Sequence, residues 1–183
     1  MKREFLTLSN LLSLFRAALV VPFTLVMILP EEPLRLAAAG IVALGMLTDK
    51  FDGVIARARG EETEWGRILD PLADKICVAA MALVLMKLGD IPPGFVAALL
   101  ARDLLILAGG LYIKKRRGLV VPSNAVGKWT VTAIAVTLLV AILGLFPGIR
   151  WVLIAVCSAG LLVSLLLYAA RFVQIVRGGE ARA

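Results

Sequence analysis

The chain has 183 residues, 61% of them hydrophobic, and a mean hydropathy of +0.95. Soluble domains run at roughly 45–50% apolar residues, so an ordinary soluble globule is excluded; about six spans of ~20 residues would account for nearly the whole length. The formal net charge is +7 and histidine is absent, which excludes histidine as general base, metal ligand or nucleophile partner.

Lys2 and Arg3 precede an apolar stretch in the manner of a secretory signal, but Arg16 interrupts that stretch early and everything downstream is equally membrane-like. A retained first helix is the expectation. Residues 1–13 are amphipathic enough to lie along a membrane interface before the first span turns in. Apolar segments then fall near 12–30, 34–56, 67–88, 92–113, 124–146 and 149–174. Breakers or charge separate them: Pro30-Glu31-Glu32-Pro33, the 57–66 loop, Gly89-Asp90-Ile91-Pro92-Pro93, residues 114–123 and Pro147-Gly148. The expected fold class is therefore an all-α integral membrane protein with six transmembrane helices and a short N-terminal interfacial helix. An even number of spans puts both termini on one side. The termini with regions 50–75 and 114–128 carry 16 of the 20 Lys and Arg residues, while the opposite loops carry only Arg35, Lys87 and Arg150. By the positive-inside rule, both ends are expected to be cytoplasmic. No second domain, low-complexity segment or repeat is visible, so residues 1–183 read as one membrane domain. Cys77 and Cys157 stand far apart in apolar runs and read as small buried hydrophobes.

The informative block lies between residues 49 and 74. Asp49 and Asp52 fall towards the cytoplasmic end of the second span, and Asp70 and Asp74 early in the third. A charge in hydrocarbon costs about 2.5–3.5 kcal/mol on insertion scales, so intramembrane acids usually have a function. Spacings of i,i+3 and i,i+4 place each pair on one face of its helix. Two such faces turned together form a cage of hard oxygen ligands suited to divalent cations, and so to phosphates. Two ions ~3.5–4 Å apart in such a cage could clamp a diphosphate and stabilise charge on its leaving group. Gly53 and Ala56 keep side chains small beside the acids, Arg57 offers a planar fork for phosphate, and Gly66 gives clearance at the start of the third span. Pro71 is best tolerated in a first turn. The competing structural reading pairs the acids with Lys50, Arg57, Arg67 and Lys75 at the membrane surface, but it leaves the register of two glycines and an alanine unexplained.

The pattern Asp-x2-Asp-Gly-x2-Ala-Arg-x8-Gly-x3-Asp-x3-Asp, complete from Asp49 to Asp74, resembles the signature of the CDP-alcohol phosphatidyltransferases. Ser9-Asn10-Leu11-Leu12-Ser13-Leu14-Phe15-Arg16 resembles the opening of that family's first helix. The resemblance implies a six-helix membrane enzyme, usually a homodimer, with a polar cavity open to the cytoplasm. Such enzymes transfer a phosphatidyl group from a CDP-linked lipid such as CDP-diacylglycerol to an alcohol, releasing CMP, with Mg²⁺ or Mn²⁺. It further implies that Asp49, Asp52 and Asp70 hold the metals, that Asp74 touches a metal and acts as general base, and that Gly53, Ala56, Arg57 and Gly66 line the CDP site. The partners are thus the CDP-lipid, an alcohol acceptor and membrane lipids, and not nucleic acid.

Candidates for binding the acceptor are polar groups inside apolar runs: Asn10, Arg16, Arg102 with Asp103, and Lys128. Arg16, Arg102 and Lys128 would make a cationic pocket for a phosphate-bearing acceptor. The alternative for Arg102 is a structural ion pair with a motif acid or with Asp103. Residues 9–16 and Gly127-Lys128 resemble phosphatidylglycerophosphate synthases, whose acceptor is glycerol 3-phosphate. Arg102-Asp103 departs from their Arg-Glu and looks like the cardiolipin synthases, which use phosphatidylglycerol; serine and inositol 1-phosphate stay open. Lys114-Lys115-Arg116-Arg117 reads as a juxtamembrane cluster for orientation and contact with anionic lipid, with acceptor capture as the alternative. Two other classes use similar acids. A membrane prenyltransferase needs a second acidic motif, and an ion transporter needs acids spread through the membrane depth.

Overall fold

The computed structural model describes the backbone of residues 8–30, 32–59, 66–117 and 125–176, with side chains except at 8–10, 49–59, 66–71, 114–117, 125–126, 128 and 176. Among the described residues every regular element is an α-helix: α1 (Leu8–Ala18), α2 (Val20–Ile28), α3 (Arg35–Arg59), α4 (Gly66–Lys87), α5 (Pro93–Arg117), α6 (Ala125–Leu143) and α7 (Pro147–Val176). Each of the six expected apolar segments is helical, the first being divided into α1 and α2. The break follows from Pro22: lacking an N–H, it cannot bond the carbonyl of Ala18, where α1 ends. The described part of the expected interfacial helix, residues 8–13, is the first half of α1.

Helix ends match their sequences. Pro93 and Pro147 open α5 and α7 at the position where a missing N–H costs nothing. The end of α4 is a Schellman motif: Gly89 takes φ +77°, its N–H bonds Met86 O at 3.1 Å, and the Asp90 N–H bonds Leu85 O at 2.9 Å. Gly144, the residue after the end of α6, takes φ +65°. Pro71 differs from expectation. It is the sixth residue of α4, because the helix begins at Gly66, so it stands in the second turn and not the first.

Among the described residues three segments are long and apolar enough to cross a membrane, Leu11–Ile28, Pro93–Ile113 and Pro147–Ile175, and Arg35–Thr48 and Trp129–Leu143 are shorter apolar helices. Large apolar side chains point outward along these helices, including Leu36, Leu104, Leu111, Leu162 and Leu166. In water such a surface would aggregate; in lipid it is the ordinary exterior. Trp129 and Trp151, near the starts of α6 and α7, are both exposed, as anchors at a headgroup boundary are. The protein is an all-helical integral membrane protein.

The chain divides into two compact units, residues 1–90 with 142–144, and residues 91–141 with 145–183. In the first, α1 and α2 each pack against both α3 and α4. Its core holds Phe23, Met27, Ala38, Ala73, Ala82, Val84 and Leu85. Gly45 of α3 leaves room for α1: a methyl there would meet Leu19 Cδ1 at 3.7 Å and Arg16 Cγ at 3.8 Å. In the second unit α5 packs on α7, and Thr137 of α6 meets Cys157 of α7 at 3.2 Å. Cys157 is buried and unbridged, as expected.

Candidate active site

All four motif acids lie in the first unit. Asp49 and Asp52 sit one turn apart on α3, Asp70 and Asp74 one turn apart on α4, so each pair shares a helix face as its spacing requires. Gly53, Ala56 and Arg57 follow within the same turns of α3, and Gly66 is the first residue of α4. The side chains of Asp49, Asp52, Asp70, Ala56 and Arg57 lie outside the described residues. Among the described side chains there is no cluster of three or more metal-ligating groups, Asp74 being the one motif acid included.

The Asp74 side chain is 53% exposed, and its Oδ1 accepts a charge-assisted hydrogen bond from Arg16 Nη1. Arg16 itself is buried. It reaches Asp74 from α1, which packs against both acid-bearing helices. The Cys77 thiol, one turn beyond Asp74, donates to the main-chain oxygen of Arg16 at 3.4 Å. Cys77 is half-buried and free. The sequence reading grouped Arg16 with a phosphate-bearing acceptor; the structure joins it to Asp74. The competing reading pairs the acids with Lys50, Arg57, Arg67 and Lys75 and does not include Arg16, because an arginine 58 positions away leaves no trace in local spacing.

The other two cations expected at the acceptor lie in the second unit. Arg102, 8% exposed, donates through Nη1 to Asp103 Oδ1 at 2.7 Å and through Nη2 to Ser164 Oγ at 3.0 Å. The ion pair with Asp103, one of the two alternatives for Arg102, is therefore present. Its Nε is buried without a partner. Ser164, buried on α7, went unnoticed in the sequence; the available signal was a hydroxyl inside the long apolar run of that helix. Lys128 is in the first turn of α6, its side chain outside the described residues.

The donor set has consistent chemistry. Four carboxylates, with no imidazole and no thiolate in the motif, are hard oxygen ligands of the kind Mg²⁺ and Mn²⁺ take.

A family model described as CDP-alcohol phosphatidyltransferase matches residues 6–175. A "probable phosphatidylglycerophosphate synthase" of Mycobacterium tuberculosis is 31% identical over 177 residues, covering 93% of this chain and 84% of the relative. The chloroplastic CDP-diacylglycerol–glycerol-3-phosphate 3-phosphatidyltransferase 1 of rice is 37% identical over 111 residues, 61% of this chain and 33% of its own. The Escherichia coli protein named CDP-diacylglycerol–glycerol-3-phosphate 3-phosphatidyltransferase is 47% identical over 76 residues, 41% of this chain and 42% of its own. Transport and prenyl transfer are thereby set aside. The uninterrupted acidic motif on α3 and α4 and a match running almost from end to end agree: this chain belongs to the CDP-alcohol phosphatidyltransferases and is a membrane enzyme of phospholipid synthesis.

Proposed function

We propose that the enzyme transfers the phosphatidyl group of CDP-diacylglycerol to the hydroxyl of glycerol 3-phosphate and releases CMP. The observation that carries the acceptor is similarity over 93% of the chain to a protein named as a phosphatidylglycerophosphate synthase, supported by two more relatives named for glycerol 3-phosphate.

In this reading Asp74 takes the proton of the acceptor hydroxyl. The hydroxyl oxygen forms its bond to the lipid-bearing phosphorus as the bond from that phosphorus to the CMP oxygen breaks. Asp49, Asp52, Asp70 and Asp74 would hold one or two divalent ions, Mg²⁺ or Mn²⁺, which when bound supply positive charge to the diphosphate and its leaving group. A carboxylate base suits a chain without histidine. Gly53, Ala56 and Gly66 give the CDP moiety close access to backbone, and Arg57 gives its phosphates a planar donor. Lys128 is proposed as an acceptor-phosphate contact on the chemistry of its charge alone, whereas Arg102, buried and bonded to Asp103 and Ser164, is read as a structural ion pair, the other alternative its sequence left open. Residues 1–183 are proposed to act as one catalytic domain, as a homodimer, in the inner membrane with site and termini cytoplasmic.

The test is CMP release by purified protein from CDP-diacylglycerol with Mn²⁺ or Mg²⁺, offering glycerol 3-phosphate, phosphatidylglycerol, serine and inositol 1-phosphate in parallel. Turnover with glycerol 3-phosphate and its loss in EDTA are expected. Turnover with phosphatidylglycerol alone would make the protein a cardiolipin synthase, the reading that Arg102-Asp103 favours. Asp74→Asn should lower kcat by about 10²–10⁴-fold, the usual contribution of a positioned base.

A further inference from the structure

We propose that Arg16 is a positioning residue for Asp74, and not a contact of the acceptor phosphate. The proposal rests on the reading of Asp74 as general base.

Burial separates the two roles. A mobile acceptor must reach its contacts from the open side of the site. Arg16 has a side-chain exposure of 6%, whereas the Asp74 side chain is 53% exposed, so a solvent-borne acceptor meets the carboxylate and not the guanidinium behind it. Arg16 is also held at both ends. Its side-chain stem lies where α1 passes Gly45 of α3, its main-chain oxygen accepts the Cys77 thiol of α4 at 3.4 Å, and its Nη1 donates to Asp74 Oδ1. Cys77 and Asp74 are three residues apart and share a face of α4. One residue of α1 thus grips that face through main chain and side chain together.

The bond runs from Nη1 to Oδ1, and a guanidinium N–H, held in the plane of its group, directs that bond more narrowly than the freely rotating ammonium of a lysine would. Oδ1 is committed to Arg16, and the Asp74 side chain as a whole stays 53% exposed. Displacing a reacting group by ~1 Å costs about 10²-fold in rate, so holding Asp74 is a catalytic requirement and not only a packing one.

The experiment uses full-length protein in detergent with lipid and compares Arg16→Gln and Arg16→Lys in the native and Asp74→Asn backgrounds. Arg16→Gln should lower kcat by about 10²-fold while the KM for glycerol 3-phosphate stays within about 2-fold, and Arg16→Lys should recover only part of the loss. In the Asp74→Asn background Arg16→Gln should add less than about 3-fold, because the two act as one unit. Two readouts are independent of turnover. Thermal unfolding of the metal-free variants should show coupling between positions 16 and 74. Mn²⁺ binding to Arg16→Gln, followed by electron paramagnetic resonance, should be no weaker than in the native protein, since a cation beside the carboxylates has been removed.

A tenfold rise in the KM for glycerol 3-phosphate with kcat retained would overturn the proposal and return Arg16 to the acceptor. Equal losses in both backgrounds, or unfolding effects that simply add, would overturn it in favour of helix packing alone. If native protein released no CMP with any acceptor, the proposed function would fail, and the unfolding and Mn²⁺ data would still report on the pair.

Discussion

Arg102 shows what a single buried arginine demands of its neighbours. Its guanidinium lies in an apolar stretch of α5, and two of its donors are taken by Asp103 and Ser164. The two partners are not equal. Hydrogen bonds between membrane helices are worth about 0.6 kcal/mol on average and up to ~1.7. Removing one member of a buried charge pair costs about 3–5 kcal/mol. Ser164→Ala should therefore lower stability by about 1 kcal/mol, and Asp103→Asn by several-fold more, measured as unfolding in a mixed-detergent titration. Equal losses would mean that the pair is well solvated in place. Asp103→Glu keeps the charge and should be tolerated better than Asp103→Asn.

At the scale of elements, close helix approach depends on small residues at a few positions. A methyl on Gly160 of α7 would stand 3.0 Å from Thr130 Oγ1 of α6, and one on Gly109 of α5 would stand 3.1 Å from the Tyr168 ring of α7. Tyr168 also ties these helices by donating its hydroxyl hydrogen to Ile106 O at 3.0 Å, and Tyr112 and Phe172 pack with ring centroids 5.9 Å apart. In lipid such contacts carry more of the helix association than hydrophobicity does, because the solvent is itself apolar. Gly160→Leu should separate α6 from α7 and lower the melting temperature, while Gly94→Leu, where nothing lies within 4 Å of the added carbon, should be near neutral. The two positive-φ glycines make a second comparison. Gly89→Ala meets open space and costs only the left-handed backbone, about 1 kcal/mol. Gly144→Ala pays that cost and also brings its methyl to 3.0 Å from Arg35 Cδ, so it should be the more damaging of the two. The same thermal melts decide it.

At the scale of the whole chain, a second arginine joins three distant stretches. Arg35, the first residue of α3, donates to Asp90 Oδ2 at 2.9 Å just after α4 and to Ile142 O at 3.3 Å near the end of α6, beside Gly144. Asp90 is buried. Losing the guanidinium from a buried carboxylate costs about 3 kcal/mol or more. Arg35→Ala should lower stability by about that amount, and the double variant with Asp90→Ala should lose less than the sum of the single variants. Additivity would show the contact to be incidental.

Much of this protein was legible in its sequence. Hydropathy gave six apolar stretches and the structure makes each of them helical, because in lipid the backbone must bond within its own segment and composition alone decides where. Helix ends were legible wherever Pro93, Pro147 or Gly89 imposed them locally. The motif, with its fixed gaps from Asp49 to Asp74, carried the family, since i,i+3 and i,i+4 spacings translate directly into one face of a helix. What the sequence could not provide was partnership between distant residues. Arg16 with Asp74, Arg102 with Ser164 and Arg35 with Asp90 are separated by 58, 62 and 55 positions, and each depends on how one helix lies against another or on where a loop returns. Local pattern determined the elements and the chemistry they carry; tertiary packing alone decided which buried charge answers which, because a guanidinium in an apolar interior bonds whatever acceptor the fold brings within about 3 Å.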